Sequence, residues 1–275
     1  MSNTIPIENY IQGEKFNTLA DNIKIYYRHT HDVNSFFSSC NKQDPFILVS
    51  HNSDGVITNN PVHRNHVAPQ YHADIRLMPD NCVRWFGQNL EVEHERIESL
   101  PIGMENGYCC PEYSRKELVY NISKTPKNIK NLIYLNLNIS NNPTERDPIY
   151  NMIKDKSYVT NDIDLSGKWH GRYDRGGFEN YLNNVYNHHF MVCPEGNGID
   201  VHQPWESMYI NTIPIQKKNV TNKNWRELPI CWLDDWSQLE DESFLLSEHE
   251  RISNGVFDRS KLNFDFWKSK ITNSI

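Results

Sequence analysis

The apolar positions of this chain come in short bursts rather than long stripes. Pro45 to Ser50 reads PFILVS, an apolar run that turns polar at its end. Such a run predicts a strand buried on both faces of a parallel sheet. It opens into His51-Asn52-Ser53-Asp54-Gly55, a loop at the strand's carboxyl end, where ligands sit in open α/β sheets. Cys82 to Phe86 (CVRWF), running into GQN, and Ile97 to Ile102 (IESLPI), running into GMENG, repeat the design. Strands ending in polar, glycine-bearing loops predict one Rossmann-like lobe in the first half.

The second half has the same rhythm. Residues 112–130 are polar, Lys-rich and Pro-containing, and predict a helix plus a linker. Strands are expected at Asn131 to Leu137, Phe190 to Cys193, Ile213 to Ile215 and Ile230 to Leu233. Helices are expected at Glu145 to Lys154 and His202 to Ile210, with a closing amphipathic helix at Lys261 to Ile271. The expected fold is α/β, two Rossmann-like lobes with a cleft between them. The divisions expected are 1–125 for the first lobe, 126–255 for the second and 256–275 for the closing helix.

Composition narrows the function. At 275 residues, with 37% hydrophobic and 23% charged positions, the chain has enough material for two ordinary globular lobes. The net charge of −7 works against a polyanionic partner. Two local basic stretches, Arg115 to Lys130 and Lys217 to Arg226, read more readily as solvated charged faces than as polyanion grooves. Six cysteines show no CxxC pair, and the adjacent Cys109 and Cys110 suit reduced thiols in a cytosol. With no signal-like N-terminus and no apolar run of membrane-spanning length, a cytoplasmic location is expected. The abundance of Asn, Ile and Lys hints at an AT-rich genome, viral or bacterial.

The most informative stretch is Cys193 to Glu206, CPEGNGIDVHQPWE. A buried strand would deliver the chain to Pro194, and Glu195, Gly196, Asn197 and Gly198 would form a tight loop. A helix beginning near Asp200 to Pro204 would then point its positive end and free N–H groups into that loop, a natural seat for a diphosphate. Glu206, farther along the helix, is placed to reach a ribose diol.

This stretch resembles the donor-binding motif of the exostosin-like glycosyltransferases. LNLNISNNPTER at Leu135 to Arg146 and the WFGQN…SLPIGMEN series at Trp85 to Asn106 agree with it, and the likeness runs from about residue 45 to 240. It implies a GT-B arrangement, with 1–125 as the acceptor-side lobe and 126–255 binding the nucleotide sugar. It also implies transfer of a sugar from a nucleoside diphosphate donor, expected to be a UDP-sugar, with no obligatory metal or other cofactor. Gln203 departs from the family, which commonly has Arg there. Arg146 and Lys168 are then the expected neutralising cations, with Arg172 and Arg175 additional candidates in a Gly-rich loop, beside Glu195, Gly196, Asn197, Gly198, Asp200, His202 and Glu206 as donor-binding residues.

On the acceptor side Asp54, His51 and Glu105 are the candidate bases for the acceptor hydroxyl proton. Asp54 serves equally well as a turn cap. The acceptor is expected to be a glycan or a hydroxymethylated pyrimidine in viral DNA. The alternative from another class is a non-catalytic nucleotide- or sugar-binding module on the same fold. A metal-dependent hydrolase is weaker still, because the pairs His29/His31, His63/His66 and His188/His189 lack zinc-site spacing.

Overall fold

The computed structural model describes residues 5–21, 23–40, 43–163 and 174–274. In chain order the first half runs α1 (Gly13–Asn17), β1 (Ile25–His29), α2 (Val33–Ser39), β2 (Phe46–His51), β3 (Ile57–Thr58), β4 (Ala73–Asp74), β5 (Cys82–Gly87) and β6 (Ile97–Ser99). The second half runs α3 (Arg115–Ile122), β7 (Asn131–Leu135), α4 (Pro143–Ile153), β8 (Val159–Asn161), α5 (Arg175–Tyr186), β9 (His188–Val192), α6 (His202–Tyr209), β10 (Ile213–Lys217), β11 (Cys231–Leu233), α7 (Glu242–Asn254) and α8 (Phe264–Thr272).

Two main parallel sheets result, in the orders β1-β2-β5-β6 and β11-β10-β9-β7-β8. Every residue of β2 is buried, as an apolar run covered on both faces requires. In the second sheet β8 lies on one side of β7 and the chain returns through α5 to β9 on the other. That reversal opens a crevice at the carboxyl ends of β7 and β9, the place where open α/β sheets hold ligands.

The expected strands lie close to where the apolar runs put them. The run 97–102 leaves the sheet after Ser99, because Leu100 still donates to Gly87 O (2.8 Å) but Pro101 has no N–H to give. The closing helix starts at Phe264, three residues after Lys261, where Asn263 caps it through Asp265 N. The strand β1, with its half-polar sequence IYYRH, the short strands β3, β4 and β8 and the helices α1, α2, α5 and α7 are additional to the predicted set.

One apolar cluster is shared by the two sheets, and each sheet has a further cluster of its own. Tyr10 stacks on Tyr209 of α6 at 4.0 Å between centroids, and the Tyr209 hydroxyl accepts from Ile11 N (2.9 Å) and donates to Leu262 O (2.7 Å). Phe16 meets Phe264 edge-on, and Trp205, Trp225 and Trp267 form a buried chain. The segments before β1 and after α7 thus pack together against α6. Helix α3 packs on α5 and α6, with Arg115 over the Phe178 ring.

Trp267 is fully buried and its indole N–H donates to Lys261 O (2.9 Å). Trp267→Ala is expected to cost about 3–5 kcal/mol, the range for deleting a buried Trp. Urea unfolding monitored by circular dichroism reads this directly, and a loss within experimental error would show that α8 does not share the core.

Candidate donor and acceptor cleft

The loop after β9 is held from beneath by one dipeptide. Pro143 starts α4, placing Glu145 and Arg146 in its first turns. Arg146 is buried, and its guanidinium donates to Glu195 O (2.7 Å), Asn138 O (2.8 Å) and Pro194 O (3.3 Å). Glu145 accepts the Glu195 backbone N–H at 3.1 Å and the Trp236 indole N–H at 2.8 Å. The NPTER segment therefore fixes the shape of Pro194–Gly198 through the backbone.

From above, the first lobe closes onto the same loop. Asn65 Nδ2 donates to Gly196 O (2.8 Å), and Asn197 Nδ2 reaches Asp54 Oδ2 at 3.3 Å. Arg64 forms an ion pair with Glu195. A Cβ on Gly198 would lie 2.6 Å from Asn89 Nδ2, so this position tolerates only glycine without a shift. The Asn197 side-chain oxygen is buried without a hydrogen-bond partner among the described residues. A ligand hydroxyl would satisfy it.

Asp200 is 4% exposed. Its carboxylate accepts from Ile102 N (2.8 Å), Val201 N (3.0 Å) and the Trp205 indole (3.1 Å), while its own N–H donates to Asn89 Oδ1 (2.9 Å). Burial pushes the carboxyl up to about 6. His202, the first residue of α6, has Nδ1 at 2.8 Å from Gly103 O and Nε2 at 3.5 Å from Glu105 Oε2. A carbonyl only accepts, so Nδ1 carries a proton and Nε2 faces the carboxylate. Burial works to raise Glu105, but His202, the Asn106 N–H and the Cys109 thiol outweigh it and hold the carboxyl below its ordinary range. Glu206 is 2% exposed, accepts from Tyr181 OH (3.1 Å) and lies 4.0 Å from Arg115. Gln203 is also buried and donates to Asn136 O (2.9 Å).

The three acceptor-side candidates occupy different environments. Asp54 is exposed on the loop after β2. His51 is fully buried, its ring stacked against Phe16 at 4.9 Å. Its Nε2 donates to Pro101 O (3.0 Å) and its Nδ1 accepts from Asn52 N (2.8 Å), so both nitrogens of the neutral ring are used. Glu105 sits between them and the second lobe. Glu14 carries no signal in the sequence, and its neighbour Gly13 brings it here. Gly13 lies so close to Asn52 and His51 that a Cβ would be 1.9 Å from Asn52 Oδ1. Asn106 Oδ1 then accepts Glu14 N at 2.8 Å. Lys168 and Arg172 lie outside the described residues, and Arg175 opens α5. Among the described residues no group of three His, Cys, Asp or Glu side chains is placed to hold a metal ion, and no helix is long and apolar enough to cross a membrane.

A solved structure described as the OtsA apo structure aligns with a TM-score of 0.50 at 10% identity, covering 95% of this chain and 74% of that one. The arrangement is that of the GT-B fold. A second, described as trehalose-6-phosphate from E. coli bound with UDP-2-fluoro glucose, has a TM-score of 0.49 at 10% identity, covering 95% and 75%. No protein-family model matches the chain, and neither does any curated protein. The two-lobed expectation therefore stands, while the narrower exostosin resemblance is not supported, since the aligned structures are of another kind. The expectations of viral origin and of DNA modification gain no support from them.

Burial pushes the His51 imidazole down to about 4 from its ordinary 6.5. A ring that resists protonation only when folded contributes stability that is whole above pH 6.5 and is lost as pH falls toward 4. The amount is about 3 kcal/mol by proton linkage. Asp200, raised to about 6 from 3.8, acts in the opposite sense and makes the net curve shallower. Histidine NMR titration is expected to give a midpoint near 4 for His51 in the folded protein, with the proton on Nε2 below neutrality. An ordinary midpoint would contradict the buried neutral ring.

Proposed function

We propose that this protein is a glycosyltransferase moving a sugar from a nucleoside diphosphate donor, with UDP the expected nucleotide, to a hydroxyl of a neutral glycan-type acceptor. The observation that carries this reading is the juxtaposition of Asn197 and Asp54. A glycine-bearing loop at the switch point of one parallel sheet meets a carboxylate at the strand end of the other. A diphosphate would lie against the 194–198 loop and the positive end of α6, which oppose the charge growing on the leaving nucleotide.

In this reading Glu195, Gly196, Asn197, Gly198 and His202 face the donor. Arg146, Asp200 and Glu206 shape the site from behind, because their polar atoms are already engaged by protein groups. Asp54 is the base. It is exposed beside the donor loop, whereas both His51 nitrogens are occupied and Glu105 answers His202. In a single displacement Asp54 takes the acceptor hydroxyl proton as oxygen bonds to the anomeric carbon and the nucleoside diphosphate departs.

The acceptor class follows from charge. Asp54, Glu105 and Glu14 cluster on the first lobe around Asn52 and Asn106, a lining that suits sugar hydroxyls and repels phosphates. In the basic stretch 217–226, Lys218 is paired with Asp234 and Lys223 with Glu93. A hydroxymethylated pyrimidine in DNA fits this surface poorly. The second reading, a non-catalytic module on the same fold, is favoured by the dense cross-lobe bonding of the donor loop and is separated from the first by turnover.

Calorimetric titration with UDP and other nucleoside diphosphates, with and without EDTA, tests the donor site. UDP binding insensitive to the chelator is expected. With a UDP-sugar and a panel of oligosaccharides, Asp54→Asn is expected to lower kcat by about 10²–10⁴-fold, the worth of a general base. UDP affinity should be unchanged. Release of UDP by the native protein at the mutant's rate would assign the chain to the non-catalytic reading.

A further inference from the structure

The segment 59–68 has no apolar periodicity and carries no expected chemistry, yet it makes the densest contact of one lobe with the donor loop. Asn65, at φ 51°, lies inside a tight turn closed by Arg64 N donating to Val67 O (3.1 Å) and Val67 N donating to Arg64 O (2.8 Å). The turn is seated by Asn65 on Gly196 O, by a His66 ring nitrogen 2.6 Å from Ser140 O, and by Arg64 on Glu195. We propose that Arg64 is a positioning residue of the donor site. It holds the Glu195 carboxylate as an acceptor for the donor sugar's hydroxyls, so that the sugar is recognised only when both lobes are in place. This rests on the donor reading above.

Glu195 is only partly buried, at 25% side-chain exposure, and so is Arg64 at 22%. One Glu195 oxygen accepts from Arg64 and the other from Asn219 Nδ2 (3.0 Å). A carboxylate has about four lone-pair positions, which leaves room for hydroxyl donors. Glu145 and Arg146 approach from α4, both through the Glu195 backbone, and Asn219 approaches from beyond β10. Arg64 comes from the first lobe, with Glu91 3.7 Å behind it. Burial and the neighbouring Glu145 raise the Glu195 carboxyl, and Arg64 is the cation that opposes them. Without Arg64, Glu195 takes a proton more readily and offers an O–H where a sugar hydroxyl needs an acceptor. The Arg64 Nε–H is itself buried without a partner among the described residues, a further donor on the same side chain.

The test uses the full chain and its variants Arg64→Gln and Arg64→Lys. Each is titrated with UDP and with whichever of UDP-glucose, UDP-galactose and UDP-xylose the native protein binds tightest. Arg64→Gln should leave UDP affinity within about twofold and weaken the UDP-sugar about tenfold, the worth of one charged hydrogen bond. The weakening should deepen as pH falls through the carboxylate range, and Arg64→Lys should recover most of it at neutral pH. Equal weakening of UDP and UDP-sugar, or a loss that does not vary with pH, overturns the proposal. Thermal melts of the variants separate either result from misfolding. A native protein that binds neither ligand overturns the donor reading itself, and this proposal with it.

Discussion

The Asp200 carboxylate is the constraint on which the cleft depends. Four atoms of the chain converge on it or on its own N–H, from Ile102 and Asn89 of one lobe and from Val201 and Trp205 of the other. A buried carboxylate is costly unless its lone pairs are taken, and here they are taken by groups from both sides. The start of α6, the 194–198 loop and the strand end at Ser99 therefore share one reference point. The position of the 194–198 loop relative to the loop after β2 is then a matter of covalent and hydrogen-bond geometry rather than of lobe orientation alone.

The same economy appears around the loop. Glu145 and Arg146, adjacent on α4, take its N–H and its carbonyls, and the glycines let Asn89 and Arg146 come within reach of its backbone. Charged side chains thus serve as scaffolding, leaving Glu195, Asn197 and His202 as the polar groups with surface toward the cleft. Placing the bulk of the charge behind the loop allows close backbone approach without competition from side chains.

Much of this was legible in the chain. Runs such as PFILVS and FMVC are apolar because both faces of their strands are covered, and the strand ends followed from the polar residues after them. The shape of the 194–198 loop was legible because strand, proline, glycines and helix start fall in sequence. What was not legible depends on partners far away in the chain. Glu206 has the helical position of a ribose ligand, but α6 is buried on all sides and Arg115 and Tyr181 enclose its carboxylate. Arg146 has the charge of a diphosphate ligand, but which carbonyls it meets depends on how Pro194 turns. Arg64 and Glu14 lie in segments without periodicity, and only the pairing of the two lobes gives them neighbours.

The packing of Tyr10 and Phe16 against residues beyond α7 has a consequence for synthesis. The first lobe's sheet can pair as soon as β6 leaves the ribosome, but Tyr10 has no Tyr209 to meet until α6 has been made, and the ring of Phe16 has no Phe264 until α8 begins. An emerging first lobe would carry exposed aromatic surface throughout that interval. Contacts of such long sequence separation are slow to form and leave unfinished chains sticky.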